Sequence, residues 1–303
     1  MCVAEVEAVS QTLSPSTGRR YGRRRTCQAL GVPRATLYAV RARQAQAAPA
    51  QKRGPKTAWT DAELTAQIQD VLSRSPCVGE GYRKVWARLR LAGIRTSKGR
   101  VLRLMRTAGL LAPTRVGQPH GPKAHDGTII PERPDAMWGT DATAGWTDEG
   151  SATIFIAVDH YTAECVGIHA ARRGTRFEAL EPLRQGVQAH FGAYGEQLAA
   201  GLALRHDHGS QFMSDHFQAE LRFLGITSSP AFVREPEGNG CAERFIRTLK
   251  EQLLWVEHFS TVEELRQALL AFRERYNREW LIARHGHRSP AAVREAFARP
   301  VAA

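Results

Sequence analysis

Apolar residues recur with two different spacings along the chain, and the changes of spacing mark its parts. Between residues 59 and 112 they follow a helical spacing, of which Leu64 and Ile68 are an example. From residue 136 the spacing becomes that of β-strands, and after residue 259 it is helical again. The pattern therefore predicts helical modules at the front, a mixed α/β core and a helical end.

The predicted core, residues 136–260, begins with three strands, after which helices alternate with two further strands. The strands are expected at 137–146, 152–161, 164–171, 202–207 and 226–230, and the helices at about 176–191, 214–224 and 240–257. This order of elements fits the ribonuclease H-like fold, in which helices flank both faces of a mixed five-stranded sheet, and the motifs given below carry the assignment. In that fold the first and fourth strands are neighbours.

The first predicted module, residues 19–44, has the pattern of a helix-turn-helix. Gly31 would supply a left-handed turn after one helix, and Pro33 would begin the second helix. The exposed face of the second helix would carry three arginines, Arg34, Arg41 and Arg43. An ordinary pair of packed helices would show the same spacing, but the arginine-rich run just before it favours DNA binding.

The second predicted module, residues 59–112, opens with a capping box formed by Thr60 and Glu63. A later helix of this module carries four basic residues, Lys98, Arg100, Arg103 and Arg106. The three arginines recur every third residue and so share one helix face. Such a stripe is usually a solvated face, although DNA phosphates would also suit it.

The remaining segments are predicted from composition. Residues 1–18 are polar and small without periodicity, which predicts a poorly ordered tail. Residues 45–58 and 113–135 are interpreted as linkers, since they are rich in Pro, Gly, Ala and Lys and have no apolar period. Residues 261–303 are predicted to form C-terminal helices, the first of them capped by Thr261.

Charge is distributed unevenly over the chain, whose net charge is +12. Residues 1–125 contain 23 basic and 6 acidic side chains, a balance of +17, and the rest contains 19 basic and 24 acidic side chains. A field of this strength attracts polyanions at physiological salt, so DNA is favoured over a basic surface kept only for solubility.

The cysteines and the apolar runs limit the class of protein further. Five cysteines are scattered without a CxxC pair, which predicts neither a disulfide framework nor a zinc site and fits a reducing compartment. No run of 18 apolar residues and no signal-peptide pattern occurs. We therefore expect a cytoplasmic protein, associated with the bacterial nucleoid, that does not insert into a membrane.

Three carboxylates stand in distinctive surroundings: Asp141, Asp207 and Glu243. Asp141 and Asp207 interrupt or end apolar strands, where an unpaired charge is costly, whereas an isolated acidic residue is usually a solvated surface group. Three acidic oxygen ligands on separate elements suit a pair of hard divalent cations, which would polarise a phosphodiester. Asp159, at the end of the second predicted strand, is ranked well below these three and would at most support the site.

The sequence His206-Asp207-His208 also allows a different interpretation, a phosphohydrolase that uses histidine and aspartate to bind a transition metal. That class needs further histidines spaced for the same metal, and the other histidines of this chain show no such spacing. Activity carried by Zn²⁺ or Fe²⁺ would support this interpretation, and dependence on Mg²⁺ or Mn²⁺ would support the carboxylate site.

The motifs around the three acids resemble those of the Asp-Asp-Glu (DDE) recombinases, which include the retroviral integrases and the transposases of insertion sequence family three (IS-three), second-frame product OrfB. The shared features are a gap of 35 residues between Asp207 and Glu243, the run Asp207-His208-Gly209-Ser210-Gln211-Phe212, and Gly238-Asn239-Gly240-Cys241-Ala242-Glu243 with a basic residue, Lys250, seven positions later. The resemblance covers about residues 20 to 298, although the Arg-Pro-His element that often follows Tyr-Asn in that family is missing after Tyr276-Asn277.

The resemblance implies specific roles for these residues. Asp141, Asp207 and Glu243 would be catalytic and would hold two Mg²⁺ ions, for which Mn²⁺ can substitute. Gly209 would allow the turn after the fourth strand, and Gln211 would orient a phosphate or stabilise that turn. Asn239, Arg247 and Lys250 share a helix face with Glu243 and would contact DNA, as would the arginine stripe of the second module.

The activity implied is that of a DNA transposase, which cleaves the ends of a mobile element and joins the 3′ hydroxyl to another strand. Double-stranded DNA would be the partner, the protein would act as a homo-oligomer on it, and a first-frame partner or fusion (OrfA) would contribute further DNA binding. Two alternatives stay open: a catalytically inactive DNA-binding repressor or architectural protein derived from a transposase, and a simple metal nuclease.

Overall fold

A computed structural model describes four stretches of the chain: residues 3–45, 58–113, 131–231 and 239–299. The chain divides into two compact units, Met1–Ala58 and Trp59–Ala303. Most of both predicted linkers, 45–58 and 113–135, lies outside the described residues.

Residues 3–45 of the first unit form three helices, α1 (Val3–Gln11), α2 (Gly22–Ala29) and α3 (Arg34–Ala45). The two helices and the turn predicted from the helix-turn-helix pattern are present, and Gly31 in that turn has a φ of +64°. The prediction of a poorly ordered tail at residues 1–18 is wrong, because α1 lies there. Val6 of α1 is buried against Cys27 and Leu37, so its helix is stabilised by packing against α2 and α3.

The second unit begins with three helices, α4 (Asp61–Arg74), α5 (Tyr82–Leu91) and α6 (Lys98–Thr107). The predicted capping box is confirmed, since the Thr60 hydroxyl accepts from the Glu63 N–H and the Glu63 carboxylate accepts from the Thr60 N–H. The apolar faces of the three helices enclose one cluster of buried side chains, Leu64, Ile68, Val85, Leu89, Ile94, Val101, Leu104 and Met105.

Five strands follow and form one mixed sheet. They are β1 (Met137–Thr147), β2 (Gly150–Asp159), β3 (Cys165–Ala171), β4 (Ala203–His206) and β5 (Thr227–Pro230), in the spatial order β3-β2-β1-β4-β5. β1 pairs with β2 and β2 with β3 in antiparallel fashion, whereas β1–β4 and β4–β5 are parallel. The predicted neighbourhood of the first and fourth strands is therefore confirmed.

Helices cover both faces of this sheet. They are α7 (Arg176–Phe191), α8 (Ser210–Met213), α9 (Asp215–Leu224), α10 (Gly240–Leu249), α11 (Val262–Glu279) and α12 (Pro290–Ala298). A π-helical turn (Lys250–Leu254) continues α10, and a 3₁₀ turn (Ala283–His285) precedes α12. The helix predicted at 240–257 thus occurs, but its last part is wound more loosely than an α-helix.

Alternation along β2 divides its side chains between two apolar clusters, one on each face of the sheet. Ile154 and Ile156 belong to the cluster that α10 and α11 cover, and Phe155 and Ala157 belong to the cluster that α7 and α9 cover. The two clusters hold the sheet between helical layers, which is the ribonuclease H-like architecture that the order of elements predicts.

The helical module packs against the core within the second unit. The side chain of Gln252, in the π-helical turn, pairs with the backbone of Val78: its Oε1 accepts from the N–H at 2.7 Å and its Nε2 donates to the carbonyl at 2.9 Å. The Lys84 ammonium lies 2.8 Å from the centre of the Trp280 ring. The hydrogen bonds of Gln252 therefore hold the helical module against the π-helical turn that follows α10, the helix that carries Glu243.

Among the described helices, none has the length and apolar character needed to cross a lipid bilayer.

Candidate active site

Parallel pairing brings Asp141 and Asp207 to the same level of the sheet. The register of β1 and β4 ends on the pair Gly139 and Arg205, and each aspartate lies two residues beyond its member of that pair. Asp141 is half-buried within β1, and Asp207 is exposed immediately after β4. Because β4 ends at this level while β1 continues, Asp207 leaves the end of β4 beside the middle of β1, where Asp141 lies.

Glu243 reaches the same region from the first turn of α10. One side of this helix is buried against β1 and β2, and its buried residues include Ala242, Phe245 and Ile246. Glu243 and Arg247 lie on the exposed side. The amide of Asn239, just before the helix, donates to the Thr140 carbonyl at 2.9 Å and so fixes the start of α10 beside the strand that carries Asp141.

The pKa of Asp141 responds to the charges of the other two acids. Burial raises the pKa of the Asp141 carboxyl to about 6, and the negative charges of Asp207 and Glu243 add to the rise. The Ala142 N–H, which donates to Asp141 Oδ1 at 2.8 Å, and the cation of Lys250 lower that pKa. Burial also raises the pKa of Glu243, and Arg247 opposes this rise.

The donor set has the chemistry of a site for hard cations, since carboxylate oxygens are the ligands that Mg²⁺ prefers. A divalent cation would also relieve the repulsion that Asp141 experiences from its two neighbours. In the described stretches, however, no three His, Cys, Asp or Glu side chains lie close enough together to hold one ion. The charges of Asp207 and Glu243 thus act on Asp141, but in the described residues the three acids do not form a single ligand set.

Gly209 lies beside Asp207 for a reason that differs from the predicted one. Its φ is −55°, an ordinary value, so no special backbone conformation is needed there. A Cβ at this position would instead lie 2.9 Å from Asp207 Oδ1 and 2.6 Å from Gln211 Nε2. The Gly209 N–H donates to Asp207 Oδ1 at 2.8 Å. Because glycine has no Cβ, the Gly209 backbone, the Asp207 carboxylate and the Gln211 amide can lie in close contact.

The interpretation as a histidine-metal phosphohydrolase finds no support in the described residues. His206 is buried, with Nδ1 at 2.7 Å from the Asp207 carbonyl and Nε2 at 2.9 Å from the Ser228 hydroxyl. Burial lowers the pKa of this imidazole. Both ring nitrogens are engaged within the protein, so His206 holds β4 against β5.

Asp159, the last residue of β2, is a structural residue that holds the loop after this strand. It is fully buried, and its carboxylate accepts from the backbone N–H groups of Asp135 at 2.8 Å and of Thr162 at 2.6 Å, and from the Thr162 hydroxyl at 2.8 Å. These bonds explain an acid at the end of a strand without any role in the chemistry.

The residues predicted to bind DNA have different surroundings. Asn239 is buried in its contact with Thr140, so it is a link between elements and not part of the exposed face predicted to touch DNA. Arg247 is exposed on α10, and Lys250 is half-buried at the start of the π-helical turn. Near the N-terminus, Arg34 is exposed and Arg41 pairs with Glu7 at 3.2 Å, whereas only the backbone of Arg43 is described.

The arginine stripe of α6 is partly occupied by protein. Arg100 donates to Asp61 at 2.8 Å and to the Trp59 carbonyl at 2.7 Å, and Arg103 donates to the other oxygen of Asp61 at 2.7 Å. Arg106 is exposed, and the ammonium of Lys98 lies 4.4 Å from the centre of the Trp86 ring. The stripe is therefore a mixed surface in which Arg100 holds α6 to the start of α4.

Two exposed tryptophans were missed by the sequence analysis. Trp146 is the last residue but one of β1, before its hairpin turn, and Trp255 follows the π-helical turn. The signal was a tryptophan two residues before the polar turn Asp148-Glu149-Gly150, where a core residue is not expected.

The mixed sheet and the helical layers on both of its faces have the ribonuclease H-like architecture of an integrase-type core. Residues 224–290 match the model of the Integrase core domain, and residues 59–117 match that of an HTH-like domain. The two matches cover α10, with Glu243, and the module of α4 to α6.

Known proteins resemble the chain over most of its length. The transposase for insertion sequence element IS629 of Shigella sonnei is 25% identical over 287 residues, which are 92% of this chain and 93% of that protein. Transposase InsD for insertion element IS2 of Escherichia coli is 27% identical over 241 residues, 76% of this chain and 77% of InsD. The catalytic core domain of BIV integrase is 21% identical with a TM-score of 0.41, covering 54% of this chain and 95% of that domain.

The chain carries an HTH-like domain and an integrase core domain, and the predicted resemblance to insertion-sequence transposases is confirmed.

Proposed function

We propose that the protein is a DNA transposase, a polynucleotidyl transferase that cleaves the ends of a mobile element and joins the 3′ hydroxyl to another strand. The integrase core domain, the HTH-like domain and the transposases among its relatives support this class. The observation that carries the proposal is the parallel pairing of β1 with β4, which brings Asp141 and Asp207 to one level of the sheet, together with the hydrogen bond that fixes the start of the Glu243 helix beside Thr140.

In this proposal Asp141, Asp207 and Glu243 are the catalytic residues and the ligands of two Mg²⁺ ions, which Mn²⁺ can replace. Bound metal would polarise the phosphodiester and stabilise the entering and leaving oxygens. Asp141 would be the central ligand, because the charges of both other acids act on it. Gly209 keeps Asp207 in place through its N–H and leaves room for Gln211, which we assign to orienting a substrate phosphate.

Basic residues near the acids are assigned to the DNA backbone. Arg247 lies one helical turn after Glu243, and Lys250 lies one turn further. Their cations act on the pKa of Glu243 and of Asp141 respectively, so both stand within electrostatic reach of the cluster. Cations in this position bind the phosphates on either side of the one that reacts.

Recognition of the element ends is assigned to the two helical modules. Double-stranded DNA would lie against Arg34, Arg41 and Arg43 of α3 and against Lys98, Arg103 and Arg106 of α6. Working as a homo-oligomer would place two such chains on the two ends of one element. A first-frame partner, separate or fused, would add further DNA contacts.

A strand-transfer assay tests the proposal. The purified chain is incubated with a linear fragment that carries both ends of its element, a supercoiled plasmid, and Mg²⁺, Mn²⁺ or EDTA. We expect joined fragment–plasmid products with either metal and none with EDTA. DNA binding without cleavage in both metals would favour the inactive repressor or architectural protein, and cleavage without joining would favour a nuclease.

A further inference from the structure

Two tryptophans stand in solvent on the segments that continue from Asp141 and from Glu243. The exposed fractions of Trp146 and Trp255 are 75% and 71%, although tryptophan is largely buried in most folded proteins. Both line one pocket of about 230 Å³, together with Thr143, Lys250 and Leu254. Exposed aromatic surface of this size around a defined pocket indicates a binding site.

The pocket adjoins the elements that carry two of the three acids. Thr143 lies two residues after Asp141 on β1, and Lys250 lies seven residues after Glu243 where α10 becomes a π-helical turn. π-Helical turns often occur at functional sites, because the extra residue redirects the side chains that follow. Lys250 connects this pocket with the acids, since it lines the pocket and its charge acts on Asp141.

Hydrogen bonds fasten the two segments that carry the tryptophans. The Asp148 N–H, in the hairpin turn after Trp146, donates to the Phe259 carbonyl at 3.1 Å, and Asp148 Oδ1 lies 3.1 Å from His258 Nε2. In the same turn, Glu149 accepts from the Val262 N–H at 2.8 Å. These hydrogen bonds join the β1–β2 turn to the segment after Trp255. They therefore hold the two segments that form the aromatic pocket in fixed positions.

We infer that this pocket binds an unpaired nucleobase of the DNA strand whose phosphate lies at the acidic cluster. Stacking on tryptophan suits every base because each has a π-face, and Lys250 supplies the positive charge that a neighbouring phosphate needs. Aromatic surface and a cation in one pocket thus match the flat base and the charged phosphate of a nucleotide. The inference rests on the proposed function for the presence of DNA, and it adds a site for a base that has left its duplex.

A binding experiment without metal tests the pocket separately from catalysis. The full chain in EDTA is titrated with a fluorescent duplex of fixed sequence and with the same duplex extended by three unpaired thymidines. Wild-type protein should bind the extended DNA at least about fivefold more tightly, the smallest effect expected from stacking one base. Trp255→Ala and Trp146→Ala should reduce this preference while the affinity for plain duplex stays unchanged, and Trp255→Phe should retain most of it.

A matched control is Phe223→Ala, which removes an aromatic side chain that is 42% exposed on α9. It should leave the preference for unpaired DNA intact. Equal binding of both DNAs by wild-type protein, or an unchanged preference in both tryptophan variants, would overturn the inference. Neither result would bear on the proposed transposase function, which the strand-transfer assay tests. A fall in oligomeric mass on size-exclusion chromatography of Trp146→Ala or Trp255→Ala, with DNA binding unaltered, would show that protein covers the pocket and would likewise overturn it.

Discussion

Asn277 of α11 pairs with the backbone of Cys165 in β3 as a neighbouring strand would. Its Oδ1 accepts from the Cys165 N–H and its Nδ2 donates to the Cys165 carbonyl, both at 2.9 Å. β3 is the outer strand of the sheet, and Gln185 of α7 makes the same pair of bonds with Ile168 at 3.2 and 3.1 Å. Helix side chains therefore satisfy the open edge of β3, where a bare strand would invite pairing with other chains.

Replacing Asn277 by alanine should destabilise the core. Asn277 is 8% exposed, and the variant would leave the N–H and the carbonyl of Cys165 buried without partners. Each unsatisfied buried group costs about 1–3 kcal/mol, so we expect a loss of about 2 kcal/mol or more in the free energy of unfolding. Urea unfolding followed by circular dichroism measures it.

The matched control for Asn277 is Gln188→Ala on α7, an exposed amide. It should change the free energy of unfolding by no more than about 0.5 kcal/mol. If Asn277→Ala unfolds at the same urea concentration as this control, the edge of β3 does not depend on the amide.

Neutral isosteres of the three acids should abolish strand cleavage and joining. Asp141→Asn, Asp207→Asn and Glu243→Gln keep the shape of each side chain but remove the charge that a hard cation requires. Binding to element-end DNA should stay close to that of the wild type, because the basic modules are unchanged. Gel assays of cleavage and of binding on the same protein samples measure both effects.

Asp215→Asn is the control for the acid variants, since Asp215 is an exposed carboxylate in the first turn of α9. It should cleave normally. Near-normal cleavage by any one of the three acid variants would remove that residue from the proposed site.

Gly209→Ala should reduce activity without unfolding the protein. The backbone of Gly209 accommodates alanine, but the new Cβ would meet Asp207 Oδ1 at 2.9 Å and Gln211 Nε2 at 2.6 Å, and one of these side chains must move. Since misplacing a reacting group by 1 Å can cost about 100-fold in rate, we expect cleavage to slow by at least tenfold with little change in melting temperature. Gly81→Ala, where a Cβ would meet nothing within 4 Å, is the control. Equal rates for the two variants would mean that Asp207 and Gln211 do not need this close approach.

Elements with local signals at both ends were predictable from the sequence. The helix expected at 176–191 occurs as α7, Arg176–Phe191, because the Thr175 hydroxyl caps its start and Gly192 ends it with a φ of +86°. The neighbourhood of β1 and β4, and with it the approach of Asp207 to Asp141, followed from the order of strands.

Features that depend on distant partners were not predictable. α1 is stabilised by burial of Val6 against Cys27 and Leu37, which only the folded unit brings together. The π-helical turn that redirects the end of α10 has no marker in its own residues. Arg100 is paired with Asp61, 39 positions earlier. One arginine of a stripe that is usually a solvated face therefore contributes to tertiary packing.

Arg100 and Arg106 should therefore respond differently to alanine, although both belong to the predicted stripe. The side chain of Arg100 is 20% exposed and holds Asp61 and the Trp59 carbonyl, so Arg100→Ala should lower the melting temperature. Arg106 is exposed, so Arg106→Ala should leave the melting temperature unchanged.

If Arg106 contacts a phosphate, its loss should weaken DNA binding for all sequences and reduce the slope of log affinity against log salt by about one. Titrations at several salt concentrations measure this slope, with Arg74→Ala, an exposed arginine paired with Asp70 on α4, as the control. A slope for Arg106→Ala equal to that of the control would make Arg106 a solvated side chain and leave α6 without its freest candidate for contact with DNA.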